Sequence, residues 1–197
     1  ETRIIAVQRH LRAMEREGQI FFDKFKRYKI VNEALLISGT VLGHRDGFGF
    51  LKRDDGEPDL YLSSRQMQFC IPNDKVSARI KESSRKGKGE ASIVRVLVPR
   101  AETIVGRYYF ESGVAVVIAD DASIVHEFII PTEHSHGARH GNMVVIEIIQ
   151  RPMKRMNPVA KVIEILGEYM APGMEIEIAL RTFEIPHEWS ESVIHGV

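Results

Sequence analysis

The chain has 197 residues, 44% hydrophobic and 27% charged, the balance of a globular protein rather than a disordered tail. Its 27 basic and 27 acidic residues cancel, and no apolar run approaches the roughly 20 residues that a membrane-spanning helix needs. The single cysteine, Cys70, excludes an internal disulfide and points to no oxidising compartment, so a buried, inert thiol and a cytoplasmic location are expected.

Zero net charge conceals an asymmetry. Through Val98 there are 19 Lys and Arg against 13 Asp and Glu, and from Pro99 onward 8 against 14. A polyanionic partner is therefore expected to meet the N-terminal half first. The chain opens at Glu1 within a helical pattern, with neither Met nor a signal-peptide pattern, and is expected to be part of a longer protein.

In residues 1–37, Ile4, Ile5, Leu11 and Met14 recur at helical spacing among Arg3, Arg9, Arg12 and Arg16, and Gly18 closes the pattern. Two short alternating runs follow, Gln19 to Phe22 and Tyr28 to Val31, joined by a basic turn from Asp23 to Arg27. A helix followed by a basic two-stranded ribbon is the way a winged helix-turn-helix ends, although a plain helix-plus-hairpin linker fits the same residues.

Residues 38–99 break into short strand candidates separated by Gly, Asp, Pro and Asn. They are Gly39–Gly43, Phe48–Arg53, Leu60–Ser63, Lys75–Ile80 and Ala91–Leu97. That length and spacing predict a small antiparallel barrel, with the tract from Ser83 to Gly89 as a basic loop between its last two strands.

Residues 100–166 repeat the plan. Val105-Gly106-Arg107 answers Gly39-Thr40-Val41, and the run from Gly113 to Val117 answers that from Gly47 to Leu51. Phe128-Ile129-Ile130 answers Leu60-Tyr61-Leu62, Gly141 to Val144 answers Asn73 to Val76, and Ala160 to Leu166 answers Ala91 to Leu97. A whole domain recurring in order carries more weight than any single motif, and a tandem pair of similar barrels is expected. Residues 167–197 are acidic. Met174 to Ile178 alternates as a strand would, Thr182 to Pro186 reads as a connector, and Trp189 is a candidate anchor.

The most informative stretch is Gly47-Phe48-Gly49-Phe50-Leu51-Lys52, followed by Asp59-Leu60-Tyr61-Leu62-Ser63. Successive side chains of a strand point to opposite faces, so Phe48 and Phe50 share one face while Leu51 takes the other. With Leu51, Leu60 and Leu62 filling the barrel, Phe48, Phe50 and Tyr61 stand together outside. The bland alternative turns both strands over and puts the rings in the core. The repeat argues against it, because Val114, Val116 and Ile129 occupy the ring positions of the second barrel and offer no stacking plane. Flat rings beside cations suit the stacking of unpaired bases, which contributes about 1–3 kcal/mol per base. Arg45, Lys52, Arg53 and Arg65 flank the rings as candidate phosphate contacts.

Other chemistry is sparse. His134, His136 and His140 lie close in sequence, but no cysteine joins them and they fall in a turn, so a solvated loop is the expectation and no metal site is assigned. No phosphate-cradling P-loop and no nucleophile elbow occur, and Asp54, Asp55, Glu57 and Asp59 sit in a polar turn without an acid–base pattern. Arg151, Lys154 and Arg155 form a further basic cluster, equally readable as a phosphate contact or a solvated loop.

Gly39-Thr40-Val41, the Gly-Phe-Gly-Phe run and Asp59-Leu60-Tyr61-Leu62-Ser63 resemble the cold-shock domain, an OB-type barrel that binds single-stranded nucleic acid. Leu42-Gly43-His44 stands where that family usually carries Lys-Trp-Phe. Over nearly the whole chain the sequence resembles the ribonuclease R family, through Gly43 to Phe50, Asp59 to Ser64, Ile93 to Pro99 and Ile178 to Pro186. The resemblance implies a mainly β fold: a partial winged helix-turn-helix, two cold-shock-type OB barrels, and a connector toward a nuclease domain. It implies single-stranded RNA as partner, bound through Phe48, Phe50, Tyr61, Arg45 and Lys52. It also implies a 3′–5′ hydrolytic exoribonuclease whose catalytic aspartates and magnesium lie in its own catalytic domain beyond Val197, so this chain is expected to hold no catalytic residue and no cofactor. Two other readings stay open: a free-standing RNA-binding or RNA-chaperone protein of tandem cold-shock barrels, and a DNA-binding regulator using the winged helix.

Overall fold

The computed structural model describes residues 2–16, 19–22, 26–81, 89–100, 103–153, 156–169, 171–183 and 185. The basic tract from Ser83 to Lys88, Lys154 and Arg155, the turn residues Asp23 to Phe25, and Trp189 lie outside them. Two units divide the chain, residues 1–100 and 101–197.

The first unit opens with α1 (Thr2–Arg16) and the strands β1 (Ile20–Phe22) and β2 (Tyr28–Ile30), which pair antiparallel with Phe21 opposite Lys29. The guanidinium of Arg79 sits 3.7 Å over the Phe21 ring, a cation–π contact that ties this hairpin to the barrel.

The barrel is built from β3 (Leu36–Gly43), β4 (Gly49–Arg53), β5 (Leu60–Leu62), β6 (Lys75–Lys81) and β7 (Glu90–Val98), with α2 (Ser64–Met67) between β5 and β6. It closes in the order β3-β4-β5-β7-β6, and only the β5–β7 contact is parallel. Val41, Leu51, Leu60, Leu62, Val76, Ala78 and Ala91 fill it, and Met67 and Cys70 join the same core. The buried Asp74 carboxylate accepts the backbone N–H groups of Ile71 and Arg100, at 2.7 and 2.8 Å. It therefore fastens the chain leaving β7 to the turn before β6.

The second unit repeats this path with β8 (Thr103–Glu111), β9 (Val114–Ala119), β10 (Glu127–Ile129), β11 (Asn142–Gln150) and β12 (Val159–Glu168). Its order is β8-β9-β10-β12-β11, again closed and again with one parallel contact, β10–β12. Ile104, Tyr108, Val117, Phe128, Val144, Ile146 and Val162 are buried. The fold is mainly β, two closed five-stranded barrels of OB type, as the alternating strands and their repeat predict.

The ladders fix the correspondence between the barrels and correct one detail. Gly39 pairs with Arg53, and Gly106 with Ala119. The glycines are therefore equivalent, so Val105-Gly106-Arg107 answers Ser38-Gly39-Thr40, one residue from the expected alignment. Both glycines are needed for close approach. A Cβ would stand 2.4 Å from the Lys52 carbonyl oxygen at Gly39 and 2.5 Å from that of Ile118 at Gly106.

A second correction concerns Met174 to Ile178, which forms the start of a helix, α3 (Met174–Thr182), rather than a strand. A closed barrel leaves no free edge for a sixth strand. Met174 and Ile178, one helical turn apart, instead pack on Val105, Met143 and Val145 outside the second barrel. Arg181 then pairs with Glu177 in the same helix and with Glu164 on β12, the latter at 2.7 Å.

Candidate nucleic-acid interface

The outer face of β4 and β5 is positioned by what lies beneath it. Leu51 and Leu62 are fully buried and Leu60 nearly so, which turns Phe50 and Tyr61 outward and opposite each other across the ladder. Phe48 lies on the same side, two residues before Phe50. All three rings are half-buried, neither sealed in the core nor free. Their centres are 5.8 Å apart for Phe48–Phe50, 5.8 Å for Phe48–Tyr61 and 6.1 Å for Phe50–Tyr61. These spacings suit edge-to-face and tilted ring contacts, so the rings fix one another's orientation before any ligand arrives.

Gly49 makes the surface possible. A Cβ there would meet the Leu42 carbonyl oxygen at 2.5 Å and the Met67 sulfur at 2.6 Å, so α2 can press against β4 only because the residue between the two phenylalanines has no side chain.

A fourth ring completes the cluster. His44 stacks on Phe48 with centres 4.3 Å apart and planes inclined by 16°. The turn holds it there: the His44 N–H donates to the Phe48 carbonyl at 2.9 Å, and its Nδ1 accepts the Asp46 N–H at 3.2 Å. The sequence pattern marks His44 only as a departure from Lys-Trp-Phe. Its place at the ring position of that triplet was the available signal.

The four expected cations divide. Lys52 follows Phe48 and Phe50 on the same face of β4 and is exposed. Arg45 is 80% exposed and among the described residues makes only a long 3.9 Å approach to Asp46, and Arg65 is exposed on α2. Arg53 differs. It faces away from the rings, its side chain is 14% exposed, and it makes a two-pronged ion pair with Asp55. The bond from Arg53 holds the Asp55 carboxyl below its ordinary range, so the pair persists at neutral pH and Arg53 is not a free phosphate contact. Hydrogen bonds from Ser38 and then Lys75 likewise hold Asp54 below its ordinary range, which leaves these carboxylates as structural partners in the turn.

In the second barrel, Val116 corresponds to Phe50 and Ile129 to Tyr61, as the ladder pairs Val116 with Ile129. Val114 stands at the Phe48 position and is 55% exposed. No ring occupies these places.

Residues 39–96 match the Ribonuclease B OB domain family, and residues 117–190 match the Cold shock domain family. Ribonuclease R of Escherichia coli (strain K12) is 47% identical over 193 residues, 98% of this chain. Ribonuclease R of Acidithiobacillus ferrooxidans is 43% identical over 191 residues, 96% of this chain. The chain is similar to ribonuclease R over nearly its whole length. It matches the N-terminal region of those proteins, spanning 24% of the Escherichia coli protein and 44% of the Acidithiobacillus one. The fold also resembles Mycoplasma genitalium RNase R in complex with ribose methylated single-stranded RNA, with TM-score 0.68 and 16% identity over 79% of this chain and 25% of that one.

Among the described residues no group of three or more His, Cys, Asp or Glu side chains is arranged to hold a metal ion. His134 ends a short 3-10 helix, His136 adopts the left-handed conformation (φ 50°) of a tight turn, and His140 packs edge-on against Tyr109. Among the described residues no helix is long and apolar enough to cross a membrane. Cys70 is buried in the first barrel.

Proposed function

We propose that this ribonuclease R region captures single-stranded RNA on the outer face of its first barrel. From there it guides the strand toward a hydrolytic nuclease domain that works from the 3′ end with magnesium, as part of cytoplasmic RNA degradation. Residues 1–37 act as the end of a winged helix-turn-helix, 38–99 and 100–166 as the two barrels, and 167–197 as the connector. Phe48, Phe50, Tyr61 and His44 stack bases, while Lys52, Arg45 and Arg65 follow the phosphates.

The observation that carries this reading is the ring cluster standing over a sealed aliphatic core. Half-exposed aromatics gathered on one outer face are a cost in water unless a ligand covers them. Every base has a π-face, so the platform is tolerant of sequence, and the neighbouring cations add a salt-dependent component.

Competition between labelled single-stranded RNA and unlabelled duplex RNA or DNA of equal length tests the reading. Single strands should displace the probe at far lower concentration, and affinity should fall with salt at a slope of about −0.7 per phosphate neutralised. A preference for duplex DNA would instead favour a regulator acting through the helix and hairpin. The chain by itself should leave the RNA intact with or without magnesium.

A further inference from the structure

The second barrel bears side chains on its outer wall that capture by the first barrel leaves unused. Arg107 and Tyr109 flank the buried Tyr108 along β8, so both project outward. The Arg107 guanidinium carbon lies 4.3 Å from the ring centre of Tyr169, just past β12, and 5.3 Å from that of Tyr109. His140 meets Tyr109 edge-on with centres 5.5 Å apart.

Register makes this cluster the counterpart of the first platform. In the first barrel, Phe50 and Lys52 on β4 face Leu42 and Thr40 on β3. In the second, Val116 and Ile118 on β9 face Tyr109 and Arg107 on β8. Ring and cation have both crossed the ladder to the neighbouring strand and kept their spacing of two residues.

Arg107 is also uncommitted. Its Nε is buried without a hydrogen-bond partner, and among the described residues no carboxylate pairs with it, whereas Arg181 in the same unit ends on Glu164 and Glu177. A guanidinium held over aromatic rings commits no N–H donor to a carboxylate, and its terminal N–H groups match the oxygens of a phosphate.

We propose that Arg107, Tyr109 and Tyr169 form a second nucleotide station, in which the guanidinium binds a backbone phosphate of single-stranded RNA and Tyr109 offers its ring to the adjoining base. This rests on the capture reading above and adds a separate contact point to it. A strut that merely ties the end of β12 to β8 is the competing role, and it predicts lost stability rather than lost binding.

The test is photo-crosslinking of the whole chain to 4-thiouridine-substituted single-stranded RNA of about 30 nucleotides, enough for two barrels at about 4–16 nucleotides each. Crosslinked peptides are mapped, and affinity and thermal midpoint are measured for Arg107→Ala, Arg107→Lys and Tyr109→Ala. The expected result is crosslinking at Tyr109 or Tyr169 in addition to the first platform. Arg107→Ala and Tyr109→Ala should each bind about five- to tenfold more weakly at an unchanged thermal midpoint. Arg107→Lys, which keeps charge but loses the planar donor fork, should restore binding only in part. Crosslinks confined to the first barrel, or a lowered midpoint with wild-type affinity, would overturn the station and leave the capture reading standing. Crosslinks on neither barrel would remove the capture reading itself. Should Arg107→Ala fail to fold, Tyr109→Ala decides.

Discussion

Inside, the two barrels are nearly the same object; outside, they are not. Leu51 corresponds to Val117, Leu60 to Phe128 and Val76 to Val144, all buried aliphatic or aromatic side chains in matching ladders. On the outer wall the first barrel places rings on β4 and β5, and the second places valine and isoleucine there with its ring on β8. Packing constrains the inner residues of every closed barrel in the same way, whereas the outer residues answer only to solvent and to ligands. On the proposed function, the difference between the barrels records use rather than fold.

The largest effects are expected where the barrels agree. Leu51→Ala removes a fully buried side chain and should destabilise the first unit by about 2–5 kcal/mol in denaturant unfolding. Val117→Ala should produce a smaller loss of the same kind in the second unit. Equal insensitivity in either barrel would break the equivalence of their interiors.

Gly49 sharpens the contrast next. Its counterpart, Ala115, already carries a Cβ, while at Gly49 that atom would press into Leu42 and Met67. Gly49→Ala should cost about 1–3 kcal/mol by overpacking, and Ala115→Gly only about 0.5–1 kcal/mol by chain entropy. Thermal unfolding of the two variants checks both.

Binding should then separate the outer faces. Phe50→Ala should weaken single-stranded RNA binding by about 1–3 kcal/mol, while Val116→Ala at the equivalent place changes it little. Fluorescence titration reads both, and a comparable loss at Val116 would erase the distinction drawn between the outer walls. Smallest is the division of the cations. Lys52→Ala should lower the salt slope by about 0.7, the share of one phosphate, whereas Arg53→Ala should leave it unchanged because Arg53 is held by Asp55.

Much of this was legible in the residues. Period-two alternation broken by Gly, Asp and Asn gave the strands, and their recurrence in order gave two barrels. The outward turn of Phe48, Phe50 and Tyr61 followed because parity binds neighbouring ring and leucine positions together: one strand cannot flip without exposing Leu51. What escaped depends on groups distant in sequence or on competition between local patterns. Met174-Glu175-Ile176-Glu177-Ile178 satisfies a strand and a helix alike, and only the closed barrel and the apolar surface around Val105 decide. Arg53 reads as a free cation until Asp55 is seen folded back on it. His44 needed the turn that stacks it on Phe48. Arg107 and Tyr109 carry no such signal, because the ring positions of the second barrel are aliphatic and its aromatic stands one strand away.

The central claim is that the rings on β4 and β5 are a surface for bases rather than part of the core. Parallel measurement of RNA affinity and thermal midpoint for Phe48→Ala and Tyr61→Ala tests it most directly. Affinity should fall by about 1–3 kcal/mol for each while the midpoint stays near that of the unaltered chain. A collapse of the midpoint, or full affinity retained without the rings, would contradict it.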